Sequence, residues 1–126
     1  MSTARHLELQ ASLQRELDLQ TVERGLSSTG RVVWLLDQME NYLERWVGLR
    51  AASAQTIAPP TDDLFRMIEV GADVTAAELQ VVESPAIAES WHEFLAVLAA
   101  VRAGRNTIEP QRLAESLAVV RSELHT

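Results

Sequence analysis

The chain has 126 residues, of which 47% are apolar, and it carries a net charge of −7 at neutral pH. This length predicts one domain, residues 1–126, and this apolar fraction predicts a buried core rather than disorder. The absence of cysteine excludes disulfides, zinc–thiolate sites and thiol catalysis. The acidic balance disfavours nucleic-acid binding, because neutralisation of phosphates by basic side chains supplies most of that affinity.

The first predicted helix covers residues 4–24. Leu9, Leu13 and Leu17 recur at four-residue spacing, which places them on one helix face, and Gly25 follows at a position that ends helices. The expected helix is therefore amphipathic, with one leucine-lined side.

The second predicted helix covers residues 30–55 and carries two adjacent apolar seams. The residues of these seams are Val32, Leu35, Leu36, Met39, Tyr42, Leu43, Trp46 and Leu49. Two seams make an apolar face wider than one neighbouring helix needs. This helix is therefore either central in the fold or serves an interface in addition to the core.

Two short helices are predicted between Pro60 and Ser84. The first begins with Thr61 as its cap and ends at Gly71, and the second begins with a capping box at Thr75. Both predictions assume that glycine ends a helix and that threonine caps one.

A longer helix is predicted from Pro85 to Ala103, because Ser84 followed by proline is a typical helix start. Its segment 94–101 has no polar side, so burial on most sides is expected. The last predicted helix covers 108–124, with a seam of Leu113, Leu117, Val120 and Leu124.

These elements predict an all-α fold, an antiparallel bundle of four longer helices with two short helices inserted between the second and the third. The residues expected in the core lie on the predicted seams: Leu36, Met39, Leu43, Trp46, Trp91, Phe94, Leu98, Leu113, Leu117 and Val120.

Glu89 and His92 form the one Glu-x-x-His spacing that we considered as a metal site. In bundles that bind two metal ions, two such motifs and two further glutamates project inward, since residues i and i+3 share a helix face. Here there is one motif, and the favoured interpretation is an exposed histidine among helix-stabilising carboxylates. The sequence therefore predicts no metal and no cofactor, with Glu89 and His92 as the alternative.

Trp34 lies about 200° around the second helix from Val32 and thus away from its main seam. Either it is exposed at a contact surface, or the first helix or the segment around Pro59 covers it. Aromatic side chains are enriched at interface cores. We therefore predict a partner-binding surface on the second helix, comprising Val33, Trp34, Tyr42, Val47 and Leu49.

No phosphate-binding loop, nucleophile motif or paired catalytic carboxylate occurs in the sequence. The hypothesis is accordingly a non-enzymatic interaction protein: an adaptor, a chaperone or a regulatory subunit. A bundle enzyme or metal protein using Glu89 and His92 is the alternative. The partner is another protein or a second copy, and the surplus apolar surface of the second helix favours a homodimer. With no signal peptide or membrane-spanning segment in this sequence, we expect a soluble, cytoplasmic protein that binds no membrane.

Overall fold

The computed structural model describes residues 2–52, 62–82, 84–103 and 110–124. This part of the chain forms helices and contains no strand, which confirms the predicted all-α class. None of these helices is long and apolar enough to cross a membrane. The five helices are α1 (Ser2–Arg24), α2 (Ser28–Ala52), α3 (Asp62–Leu79), α4 (Pro85–Arg102) and α5 (Pro110–Leu124).

A tight turn at Gly25 joins α1 to α2. Gly25 has a φ of 62°, in the left-handed region that glycine adopts without strain. The Leu26 amide donates to the Thr21 carbonyl oxygen at 3.1 Å, the pattern of a Schellman C-cap. Ser27 then caps α2, because its hydroxyl accepts from the Gly30 amide at 3.0 Å.

The two predicted short helices are wrong: one helix, α3, runs through both of their boundaries. Gly71 does not end a helix but lies against α2, where a Cβ at this position would be 2.7 Å from Met39 Cγ. Thr75 does not cap a helix either, since it is fully buried and its hydroxyl donates to Met39 Sδ at 3.5 Å. Both residues serve the close packing of α3 on α2.

The predicted start of α4 is confirmed at Ser84, whose hydroxyl accepts from the Ile87 amide at 3.4 Å. α5 is described from Pro110, so the predicted start at Ile108 lies outside the described residues.

The central helix is α2, which contacts α1, α3 and α5. α4 packs mainly on α5 and makes few contacts with α3. The wide apolar face of α2 is thus explained by three neighbouring helices, the first of the two alternatives that the sequence left open.

The main core lies among α2, α3, α4 and α5, and no residue of α1 belongs to it. Every residue that the sequence predicted for the core is buried there. Phe94 is fully buried and stacks on Trp91, with ring centroids 5.1 Å apart.

A second, smaller apolar cluster attaches α1 to this four-helix body. Its buried members are Leu13 and Leu17 of α1, Trp34 and Leu35 of α2, and Val70 and Val74 of α3. Leu9 and Leu26 are half-buried against it. α1 therefore has its own apolar contact surface, separate from the main core.

Candidate functional site

The described residues form a half-open cleft of about 650 Å³. It lies among α1, α3 and α4, where α3 and α4 make few contacts with each other. Its lining residues are His6, Leu7, Arg66, Glu69, Ala72, Asp73, Leu95, Leu98, Ala99 and Arg102.

Apolar side chains make up part of the cleft lining. Ala72 and Leu98 are buried, Leu95 is half-buried, and Ala99 is exposed. Leu7 at its edge is 59% exposed, although most leucines of this chain are covered. Apolar side chains left in contact with water on a concave surface are typical of a binding site.

Charged side chains of both signs form the rim. Arg102 Nη1 lies 3.3 Å from Glu69 Oε2, and His6 Nε2 lies 2.6 Å from Asp73 Oδ2. These two pairs join α3 to α4 and to α1 across the cleft. Because the Arg102 side chain is 73% exposed, a ligand can contact its guanidinium without any change in the core.

The His6–Asp73 pair resembles the oriented histidine of many acid–base sites. Among the described residues that line the cleft there is no serine, threonine or cysteine to act as a nucleophile. Among the described residues, no three histidine, aspartate or glutamate side chains are grouped so that they could hold a metal ion.

The predicted partner-binding residues whose side chains are described do not line this cleft but lie in smaller grooves along α2. Val33 and Trp34 line one groove together, and Val47 lines another beside α5. Trp34 also lines a shallow groove on the α1 side, together with Tyr42. The side chain of Leu49 lies outside the described residues. The proposed surface is thus spread around α2 rather than gathered on one face.

Trp34 is only 7% exposed, so of the two alternatives that the sequence left open, exposure is excluded in this structure. The reason is that α1 folds back over it: Trp34 packs with Leu13 and Leu17 in the second cluster. Covering by the first helix was the other alternative for this residue. The surplus apolar surface that favoured a homodimer is therefore much smaller than the sequence indicated.

Tyr42 is half-buried beside the main core. Burial raises the pKa of its hydroxyl, and nearby Arg45 lowers it by a smaller amount. This direction follows from the cost of placing a phenolate where water is excluded.

Glu89 and His92 are both exposed on α4, so they do not project into the bundle as the metal alternative requires. An inward position would have placed them beside Trp91 and Phe94, which fill that side of α4. The spacing that suggested a metal site is here a solvent-facing feature.

Sequence reasoning missed the residues of the cleft. One signal was available, namely the segment 94–101 without a polar side. Its predicted burial on most sides is wrong, because Ala96 and Ala99 are exposed. Leu95 and Ala99, the surplus apolar side of this segment, line the cleft. His6 and Asp73 are 67 positions apart, and no local pattern could have paired them.

Comparison with protein-family models, with curated proteins and with solved structures found no match for this chain.

Proposed function

We propose that this chain is a non-enzymatic interaction protein, an adaptor, chaperone or regulatory subunit, that binds a segment of another protein in the cleft among α1, α3 and α4. The observation that carries the proposal is the composition of the cleft. The apolar side chains of Ala72, Leu95, Leu98 and Ala99 line it together with charged side chains of both signs.

A polypeptide fits this composition better than a small metabolite does. Small-molecule sites enclose most of the ligand and direct a few polar groups to one point. Here the cleft is half open, and its charged pairs, Glu69–Arg102 and His6–Asp73, involve three different helices. An amphipathic helix lies in such a groove with apolar residues at i, i+3, i+4 and i+7 on the floor and polar residues at the rims.

A matched pair of substitutions tests the proposal. Ala99 and Ala118 are both exposed helical alanines, but Ala99 lines the cleft and Ala118 lies on α5, which does not. Peptides tiled from the proteome of the source organism would be displayed and selected for binding to the wild-type chain. We expect Ala99→Arg to weaken binding of the selected peptides by about tenfold or more, as for the centre of an interface.

Ala118→Arg introduces the same side chain elsewhere and is expected to leave binding near the wild-type value. Equal loss in the two variants, or loss in Ala118→Arg alone, would contradict a binding site in the cleft. Circular dichroism of both variants checks that each retains its helices.

A further inference from the structure

We infer that α1 can exchange between two copies of this chain, so that each copy's α1 packs on the other's α2 and α3 and the cleft becomes a composite of two chains. This inference does not rest on the proposed function. It follows from how α1 is attached and from the turn that joins it to α2.

The first observation is that α1 is separable from the rest of the fold. The main core, formed by α2, α3, α4 and α5, contains no residue of α1. α1 contributes Leu9, Leu13 and Leu17 to the second cluster. The four-helix body thus keeps its own core when α1 is displaced.

The second observation is that displacement of α1 leaves an apolar groove that must be covered. Trp34, Leu35, Val70 and Val74 are all buried in the second cluster. Exposing them together to water is unfavourable, because apolar area buried is the main driving force of folding. The structure contains a helix that fits this groove, α1 itself, and the α1 of a second copy makes the same contacts.

Polar contacts give the exchange its register. Arg31 of α2 donates to Asp18 and Thr21 of α1 at 3.3 and 2.8 Å, and at the other end His6 pairs with Asp73. An exchanged α1 recovers each of these contacts from its new position. Exchange therefore retains these polar contacts between α1 and the four-helix body.

The third observation is the short hinge. Residues 25–27 are all that separates α1 from α2, and short hinge loops favour domain swapping. The turn depends on Gly25 in the left-handed region. If residues 25–27 adopt helical geometry instead, α1 and α2 continue as one helix over 2–52, and α1 reaches a second copy.

The composite cleft is the functional consequence. His6 and Leu7 are the residues that α1 contributes to the cleft among α1, α3 and α4. In the exchanged dimer these two side chains come from the second copy, while the other lining residues come from the first. Each cleft of the exchanged dimer is then formed by both chains.

Substitution of Gly25 tests the hinge. Alanine is disfavoured in the left-handed turn of the closed monomer and favoured in the continuous helix of the exchanged dimer. Gly25→Ala therefore destabilises the monomer and stabilises the dimer. We expect its dimer dissociation constant to fall by about tenfold or more relative to wild type, measured by light scattering after size exclusion. Gly25→Asn is the control, because asparagine tolerates the left-handed region, and it is expected to remain close to wild type.

A second measurement identifies the exchange directly and uses the absence of cysteine in the chain. One variant carries His6→Cys and another carries Asp73→Cys, and the two are co-expressed and treated with a short bismaleimide. Exchange brings residue 6 of one chain beside residue 73 of the other, so the mixture yields more two-chain product than either variant alone. A Gly25→Ala protein that remains monomeric at all concentrations, or a mixture without excess two-chain product, overturns the inference.

Discussion

Gly71 of α3 lies directly against Met39 of α2, so close that a Cβ on Gly71 would be 2.7 Å from Met39 Cγ. The same methionine accepts a hydrogen bond from Thr75, one helical turn further along α3. These contacts are made at the interface of the central helix, where even one additional carbon has no space. They explain why a glycine is found in the middle of an 18-residue helix.

Substitution of Gly71 in α3 and of Gly48 in α2 by alanine is expected to change stability in opposite directions. Gly71→Ala forces a methyl group into Met39 and is expected to lower the free energy of unfolding by about 1–3 kcal/mol, as overpacked cores do. Gly48 has no neighbour within 4 Å of the position of a Cβ. Gly48→Ala is therefore expected to raise stability by about 0.5–1 kcal/mol through helix propensity.

Urea denaturation of both variants measures these changes. If Gly71→Ala were as stable as wild type, α3 would not approach α2 as closely as described.

Arg31 should contribute more to stability than Arg121, although each joins α2 to another helix. Arg31 donates to both carboxylate oxygens of Glu78, at 2.7 and 2.9 Å, and Glu78 is only 18% exposed. Arg121 pairs with Glu40 and Asp37, whose side chains are 42% and 52% exposed. Solvent screens such exposed pairs and reduces their contribution.

We expect Arg31→Gln to cost about 1–2 kcal/mol, because it leaves a mostly buried carboxylate with a weaker partner. Arg121→Gln should cost less than about 1 kcal/mol. Thermal melts of the two variants under the same conditions decide the order. A larger loss of stability in Arg121→Gln than in Arg31→Gln would show that the ion pairs between α2 and α5 contribute more than those of Arg31.

Tyr42 should make the protein less stable in alkaline solution. Burial raises its pKa above the ordinary value of about 10. The folded state thus holds this proton at a pH where the unfolded state has released it. The resulting contribution is present below about pH 10 and is lost as the pH rises through the folded-state pKa.

This chain has one tyrosine, so the near-ultraviolet absorbance of tyrosinate reports on Tyr42 alone. The titration midpoint of the folded protein should lie above that of the urea-unfolded protein. Tyr42→Phe should show a smaller loss of stability between neutral and alkaline pH. Coincident midpoints in the folded and unfolded states would show that Tyr42 is solvated like a free tyrosine.

Phe94 should be among the costliest residues to truncate, because it is fully buried in the main core and stacks on Trp91. We expect Phe94→Ala to lower the free energy of unfolding by about 3–5 kcal/mol. Val119→Ala, at a residue 51% exposed on α5, should change it by less than about 0.5 kcal/mol. A Phe94→Ala protein that melts within a few degrees of wild type would contradict a central role for α4.

The seams of α2, α4 and α5 could be predicted from sequence because the residues of a seam recur on one face of their own helix. Leu43, Phe94 and Leu117 are buried as their spacing indicated. Gly71 was misread, because a glycine that ends a helix and a glycine that allows two helices to approach look alike in sequence. Only the position of Met39 on a different helix distinguishes them.

Trp34 and the cleft could not be predicted for a related reason. Whether Trp34 is exposed depends on where α1 packs, which periodicity within α2 does not specify. The cleft combines His6, Asp73 and Arg102 from three helices. Its residues have no shared spacing, and they come together only because α1 and α4 both contact α3.

The central claim is that the cleft among α1, α3 and α4 binds a polypeptide, and amide chemical-shift mapping tests it most directly. A peptide selected from the source proteome would be added to isotope-labelled protein, and the perturbed amides assigned. We expect the largest chemical-shift changes at amides around Glu69, Asp73 and Ala99, and we expect them to disappear in Ala99→Arg. Shifts concentrated on the outer face of α5, around Ala118 and Val119, would contradict it.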